Sequence, residues 1–298
     1  MNPAAPTWRA AVSGAARLLA EAGVPSPEVD ARLLAEHVAG LSPLLMAPAP
    51  TPDQVGDYAH AVERRAAREP LQHITGRMHF RRLELHAGPG AFVVRPETEL
   101  VAGAAVDAAR AAARDGRRPV VVDLCTGSGA IALAVATEVA TAEVHAVELS
   151  ADALAIARRN VERHAPRVRL ARGDARSALP ELEGTCDVVV SNPPYVPDDA
   201  VPRDPEVRVH DPSRALYGGG SDGLDVPRAV LARARDLLAP GGVAIVEHSE
   251  EQGAALRDHA RALGLAEART HRDLTGRERF LTASAPGHPG AGVEHSAP

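Results

Sequence analysis

Beyond Pro96 the sequence alternates short apolar runs with helical segments, and this alternation restricts the fold more than any other feature. "PVVVDL" (119–124), "EVHAVEL" (143–149), "RVRLARGD" (167–174), "CDVVVSN" (186–192) and "GVAIVEHS" (242–249) read as strands. Helices are expected from Ser128, Asp152, about Leu224 and Glu251, with two β runs closing the segment. The runs are rich in β-branched residues and lack a strict in–out alternation, the pattern of strands covered on both faces. Strand–helix repetition of this kind specifies an α/β protein with a doubly wound, mainly parallel sheet. Such sheets bind ligands at the carboxyl ends of their strands, so the residues that close each run become the candidates.

Ahead of the sheet, residues 1–70 read as a small helical domain. An Ala-rich segment around Leu18 and Leu19 closes at Gly23; Ser26 and Pro27 open a second helix, with Val29, Leu33, Leu34 and Val38 expected on its buried face before Gly40. Thr51, Pro52 and Gln54 have the spacing of a capping box at the start of a third. Residues 71–95 read as a β-hairpin linker, with "MHFRRLELH" and "AFVV" as its arms and "AGPG" as its turn. Residues 96–284 form the sheet domain, and the Pro/Gly-rich stretch 285–298 is expected to be a disordered tail.

At 298 residues about two domains are expected. The 45% hydrophobic content suffices for a core, and because only seven side chains are aromatic, Leu, Val and Ala must fill most of it. A net charge of -6 disfavours a protein built to grip duplex DNA. Cys125 and Cys186 form neither a CxxC pair nor a disulfide framework, which points to a reduced, cytoplasmic setting. No apolar run is long enough to span a membrane, and no secretory signal is expected. His210, Glu247, His248, Glu250 and Glu251 have the composition of metal ligands without the spacing, so they read as surface residues and no metal is expected.

The strand ends carry a consistent chemistry. After the first strand, "DLCTGSGAIALAVA" places Gly127 and Gly129 where a backbone must turn tightly and approach a ligand before a helix. Glu148 closes the second strand about 20 residues further on, where an acid accepts hydrogen bonds from ribose hydroxyls. Asp174 closes the third. Taken singly, the glycines could be ordinary loop residues and the acids solvated caps; on one rim they suggest a nucleoside-containing cofactor, either a nicotinamide dinucleotide or S-adenosylmethionine. "GSGAIA" lacks the third glycine of a dinucleotide fingerprint, although alanine is allowed there.

The fourth strand ends in Asn192, Pro193, Pro194 and Tyr195, which have no role in hydride transfer and favour S-adenosylmethionine. Both Asn192 and Pro193 precede a proline, so both are driven to extended conformations and the strand continues rigidly into the site. Prolines contribute no N–H. The segment therefore offers acceptors, the Asn192 side-chain oxygen and the Pro193 carbonyl, to a group that donates two hydrogens, such as a primary amide or exocyclic amine. Tyr195 suits packing against that planar group.

"NPPY" after the fourth strand and "DLCTGSGAIAL" before it resemble the amino-methyltransferases that modify planar nitrogens. "EPLQHITG" (69–76), "RPETEL" (95–100), "YGGGSDGLD" (217–225) and "DLTGRERF" (273–280) narrow the resemblance, over nearly the whole chain, to the release factor glutamine methyltransferases, the HemK/PrmC family. It implies a Rossmann-like class I S-adenosylmethionine-dependent methyltransferase fold. It also implies that Cys125, Thr126, Gly127, Ser128 and Gly129 form the cofactor loop, Glu148 the ribose-binding acid and Asp174, followed by Ala175, an acid near adenine. Asn192 to Tyr195 would be the substrate clamp, with Asn192 also at the cofactor. Glu97, otherwise readable with Arg95 and Glu99 as the first turn of a helix, would lie over the methionine end.

The chain departs from the family pattern at Cys125, where glycine is usual; at Glu148, where Asp is common; at Val94, in place of a proline; and at Ala175, where a bulkier residue is frequent. None removes a charge or an acceptor, so activity is expected to survive. The expected function is methylation of the glutamine amide in the Gly-Gly-Gln motif of peptide-chain release factors, supporting translation termination, by a monomer with no stable DNA binding. DNA adenine N6-methylation, which uses a similar tetrapeptide on a flipped base, and a non-catalytic adaptor binding release factor or ribosome are the alternatives.

Overall fold

The computed structural model describes residues 7–287; the expected disordered tail lies, from residue 288 onward, outside the described residues. In chain order the helices are α1 (Trp8–Glu21), α2 (Pro27–Ala39), α3 (Pro52–Ala66), α4 (Leu71–Thr75), α5 (Thr98–Ala112), α6 (Ala130–Glu138), α7 (Ala151–His164), α8 (Pro205–His210), α9 (Ser213–Leu216), α10 (Asp225–Leu237) and α11 (Gly253–Ala262). The strands are β1 (Arg77–Phe80), β2 (Leu83–His86), β3 (Val120–Leu124), β4 (Glu143–Glu148), β5 (Arg169–Arg172), β6 (Cys186–Ser191), β7 (Leu238–Glu247), β8 (Ala266–Arg272) and β9 (Glu278–Ser284). They divide between two compact units, one helical, which takes the described residues up to Met78 with 87–89 and 202–211, and one built on the large sheet. Among the described residues no helix is long and apolar enough to cross a membrane.

In the helical unit local chemistry sets the helix ends. The Thr7 hydroxyl accepts from the Ala10 N–H at the start of α1. Thr51 and Gln54 close the capping box of α3 in both directions, and Gly40 ends α2 in the left-handed conformation that glycine adopts without steric cost. Trp8, Leu19, Leu34, Tyr58, Val62 and Ile74 form the core, with the Trp8 and Tyr58 rings edge to face at 5.8 Å. The buried face of α2 differs from the expected one. Val29 is exposed, and the face runs through Asp30, Ala31, Leu34 and Ala35. The reason lies on α3, where the Tyr58 hydroxyl donates to the Ala31 carbonyl at 2.9 Å and Arg65 pairs with Asp30 at 2.7 Å, so a polar position can be buried. Residues of α8, distant in sequence, join this unit through Glu206, which accepts from both Arg65 and Arg68.

The hairpin also differs from expectation. Its two strands both fall inside "MHFRRLELH", with Arg81 at φ 52° in the turn, and "AFVV" forms no strand. Instead Ala91 packs with Ala153 and Ile156 of α7, and Gly90, at φ 102°, has no room for a Cβ, which would come 2.7 Å from that of Asp152.

The large sheet has seven strands in the order β5-β4-β3-β6-β7-β9-β8. The pairs from β5 to β7 are parallel, and β9 pairs antiparallel with both β7 and β8. Val122, Leu124, Val189, Val246, Leu231 and Leu256 belong to one buried core, each side chain contributing about 1.5–3 kcal/mol by leaving water. Residues Ala130 to Ala136 of α6 are buried all round, so the loop that enters this helix is held against a rigid support.

Candidate active site

Chain order runs from β3 outward to β5 in one direction and from β6 outward to β7 in the other. The carboxyl ends of β3 and β6 therefore flank the switch point, where a crevice opens in a sheet of this kind. The loop after β3 is left-handed at Cys125 (φ 60°), Gly127 (58°) and Gly129 (86°). It is tied down by the Thr126 N–H donating to the Val147 carbonyl at 3.0 Å and the Gly129 N–H donating to the Thr126 carbonyl at 2.9 Å. A glycine at 125 would take such a φ freely; Cys125 adopts it at a cost of roughly 1–2 kcal/mol. Burial, with Glu148 beside it, pushes the Cys125 thiol up to about 12, so the loop carries no thiolate.

Glu148 at the end of β4 braces that loop. Its Oε2 accepts from the Gly127 N–H at 2.8 Å and its Oε1 from the Ser150 N–H at 2.8 Å. Each carboxylate oxygen keeps a second lone pair for a ligand. A Cβ built on Gly127 meets nothing within 4 Å, so the space before the loop is open. Asp174, beyond β5, is half-exposed and accepts from the Arg176 N–H at 2.9 Å, while Ala175 is buried. Ser128 is buried, and its hydroxyl has no hydrogen-bond partner among the described residues.

Beyond β6, Asn192 donates through Nδ2 to the Thr98 hydroxyl at 3.3 Å, and the Tyr195 hydroxyl donates to Glu247 Oε1 at 3.3 Å. Pro193 is buried and Pro194 half-buried. The block "YGGGSDGLD" lies against this segment backbone to backbone. The Val196 N–H donates to the Leu216 carbonyl at 2.8 Å and the Gly218 N–H to the Val196 carbonyl at 2.9 Å. A Cβ at Gly218 would stand 2.0 Å from the Gly223 carbonyl oxygen, and one at Gly223 would stand 2.3 Å from that of Tyr195. Only glycine permits the approach.

Four residues of this rim escaped the sequence reading. Gln252 is buried; its amide donates to the carbonyls of Tyr195 (2.8 Å) and Asp222 (2.7 Å) and accepts from the Ser249 N–H (2.9 Å), pinning both loops. Thr98, 1% exposed, opens α5. Asp123 is fully buried and accepts from the Thr126 hydroxyl at 2.5 Å and the Ala132 N–H at 3.1 Å. Glu247, expected on the surface with His248, is buried with it, at the end of β7; its place as the last residue of a valine-rich strand was the available signal. Burial pushes Asp123 up to about 7 against its two hydrogen bonds. It does the same to Glu247, with the Thr98 hydroxyl opposing, Glu97 raising it further and Arg279 opposing. Burial and then Glu247 hold the Tyr195 phenol well above its ordinary range. Glu97 lies 3.9 Å from Arg279, whereas Glu99 accepts from the Arg81 N–H at 2.9 Å.

These residues fit an S-adenosylmethionine site. A braced acid is available for ribose, an open glycine turn stands beside it, and the carboxylates Glu148 and Asp174 at neighbouring strand ends suit a ligand with a positive sulfonium.

The family described as "PrmC N-terminal domain" matches residues 10–76, and "Methyltransferase small domain" matches residues 110–221. Fold and family matches together define a Rossmann-like methyltransferase. A release factor glutamine methyltransferase of Streptomyces coelicolor is 52% identical over 276 residues, covering 92% of this chain and 96% of that one. Proteins of the same name from Bifidobacterium longum and Deinococcus radiodurans are 44% and 43% identical, covering 91% and 90% of this chain and 97% and 95% of theirs. The chain belongs to the release factor glutamine methyltransferase family.

Proposed function

We propose that this protein methylates the side-chain amide nitrogen of the glutamine in the Gly-Gly-Gln motif of peptide-chain release factors, using S-adenosylmethionine. The observation that carries this reading is the Asn192–Tyr195 segment at the switch point, pinned on one side by Thr98 and on the other by the glycines of 217–225. When bound, S-adenosylmethionine supplies an electrophilic methyl group on a sulfonium. Cys125 to Gly129, Glu148, Asp174, Ala175 and Glu97 would hold it. The Asn192 side-chain oxygen and the Pro193 carbonyl would accept the two amide hydrogens, fix the plane of the NH2 group and favour its pyramidal form as the N–CH3 bond develops and the S–CH3 bond breaks. Pro194 keeps this segment extended, and Tyr195 packs beside the amide.

The Cys125 thiol and Tyr195 phenol are held protonated and do not act as bases. The nitrogen becomes acidic once it carries the methyl group, so its proton leaves after methyl transfer and no strong base is required.

The helical unit, with the first 70 residues as its body, would recognise the release factor; a cleft of about 660 Å³ lined by Arg9, Arg17, Glu28, Arg32 and Leu44 supports this role. Residues 71–95 would serve as the linker and residues 96–284 as the catalytic domain of a cytoplasmic monomer. DNA adenine methylation and an adaptor role draw no support from the relatives. The test is mass spectrometry of release factor incubated with this protein and labelled S-adenosylmethionine. One added CH2 on the Gly-Gly-Gln peptide supports the reading, and an unmodified glutamine overturns it.

A further inference from the structure

Gly129 stands at φ 86° in the turn after β3. Glycine accepts either sign of φ, so the peptide joining Ser128 to Gly129 can turn over at little steric cost. In the structure that peptide is held at both ends. Its N–H donates to the Thr126 carbonyl at 2.9 Å, and its carbonyl accepts from Nδ2 of Asn160, on α7, at 3.0 Å. The first bond closes within the turn; the second comes from outside it. Asn160 is fully buried, and its whole amide is committed. Oδ1 accepts from the His86 N–H at 2.7 Å, one Nδ2 hydrogen meets the His86 carbonyl at 3.1 Å, and the other meets the Ser128 carbonyl. The side chain thus pairs with the last residue of β2 as a neighbouring strand would.

This pairing fixes which way the amide faces. A backbone N–H only donates and a carbonyl only accepts, so turning the amide over would set donor against donor and acceptor against acceptor at His86. Nδ2 therefore faces the turn, and only a carbonyl can meet it there. A 128–129 peptide turned over would bring an N–H toward that donor and would lose both bonds that hold it. We propose that Asn160 is the positioning residue of the cofactor turn: oriented by the backbone of β2, it locks the Ser128–Gly129 peptide in the conformation that receives S-adenosylmethionine. This inference rests on the reading of Cys125 to Gly129 as the cofactor loop.

Asn160→Leu keeps a branched side chain at this place and removes its polar atoms, so the peptide becomes free to turn over. With about one molecule in ten to one in a hundred then holding the competent turn, affinity falls by the same factor. Calorimetry should show S-adenosylhomocysteine binding weakened by roughly 10- to 100-fold, while the single-turnover rate of release-factor methylation at saturating S-adenosylmethionine stays within about threefold. A residue that merely docks β2 on the helix would not separate affinity from rate in this way. His164 supplies the comparison: its Nε2 donates to the Glu84 carbonyl at 2.8 Å, joining the same helix to the same strand through a bond that ends in β2 and not in the turn. His164→Leu should leave S-adenosylhomocysteine affinity within about threefold.

Unchanged affinity in Asn160→Leu, a rate that falls as far as the affinity, or an equal loss of affinity in His164→Leu overturns the inference. If Asn160→Leu fails to fold, hydrogen exchange on the unmodified protein decides. The His86 N–H has the Asn160 side chain as its acceptor, so saturating S-adenosylhomocysteine should slow its exchange by about tenfold or more relative to the amides of β8 and β9, and no such slowing overturns the inference. Gly127→Val tests the reading beneath it. A side chain in the open space before the loop should weaken S-adenosylhomocysteine binding at least about tenfold. Undiminished binding in that variant would show that Cys125 to Gly129 is not the cofactor loop, and this inference would fall with that reading.

Discussion

In the helical unit Glu206 accepts from Arg65 at 2.9 Å and from Arg68 at 2.6 Å, and Arg65 reaches Asp30 at 2.7 Å. In the sheet unit Asp123 and Glu247 are buried more deeply, yet their partners are hydroxyls and an amide N–H, and one oxygen of each has no hydrogen-bond partner among the described residues. The outcome is opposite in sign. Burial alone raises Glu206, but the hydrogen bonds and charges of Arg68 and Arg65 reverse this and hold it at about 2. Asp123 and Glu247 rise to about 7. A closed ion cluster joins segments of chain, whereas buried acids without a guanidinium partner mark the rim where polar groups serve a ligand.

The contrast predicts that changes at the rim remove function and changes in the cluster remove stability. The largest effect is expected from Asn192→Ala, which should slow methyl transfer by roughly 10²- to 10⁴-fold with little change in S-adenosylhomocysteine affinity or melting temperature. Single-turnover kinetics, calorimetry and a thermal scan measure the three; a rate within about threefold would remove Asn192 from the clamp.

Next in size is Arg65→Met. It strands the buried Asp30 carboxylate and removes one of the two guanidinium partners of Glu206, and should destabilise the helical unit by about 3–5 kcal/mol. The chain's single tryptophan, Trp8, is buried in that unit against Tyr58, so its fluorescence reports this unfolding alone. S-adenosylhomocysteine binding should persist at denaturant concentrations that have already shifted Trp8. Simultaneous loss of both signals would break the comparison.

The smaller effects are dependences on pH. Asp123 has a folded-state pKa raised from 3.8 to about 7, so between those values the folded chain holds a proton that the unfolded chain has released. Stability from this group is therefore lost as pH rises through that window, and Asp123→Asn should flatten the fall measured by denaturant titration. Glu206 acts in the reverse sense. Its folded pKa is lowered from 4.5 to about 2, so its contribution is complete above the unfolded value and is lost as pH falls toward 2. The stability difference between Glu206→Gln and the unmodified chain should shrink over that range. A constant difference would show that the guanidinium pairing is not its source.

The sheet, its strands and the rim residues Gly127, Glu148, Asp174 and Asn192 were legible in the sequence because they obey short-range rules. A buried parallel strand needs a β-branched run, a loop entering a helix beside a ligand needs glycine, and two prolines stiffen what precedes them. The capping box at Thr51 was equally local. The hairpin was misplaced because "AGPG" carries a stronger turn signal than "RR", while the chain in fact turns at Arg81 and uses Gly90 to clear Asp152.

What tertiary structure alone decided is which distant polar groups meet. Nothing near Thr98 announces that it will accept from Asn192, 94 positions away. Nothing in "PEVRVH" announces that Glu206 will close a cluster with Arg65 and Arg68. Glu247 and Gln252 look like surface residues until the sheet and α11 bury them. Periodicity and propensity act over a few residues and so can be read along a chain. Desolvation and hydrogen-bond pairing depend on what the folded chain brings within about 3 Å, which no local pattern encodes.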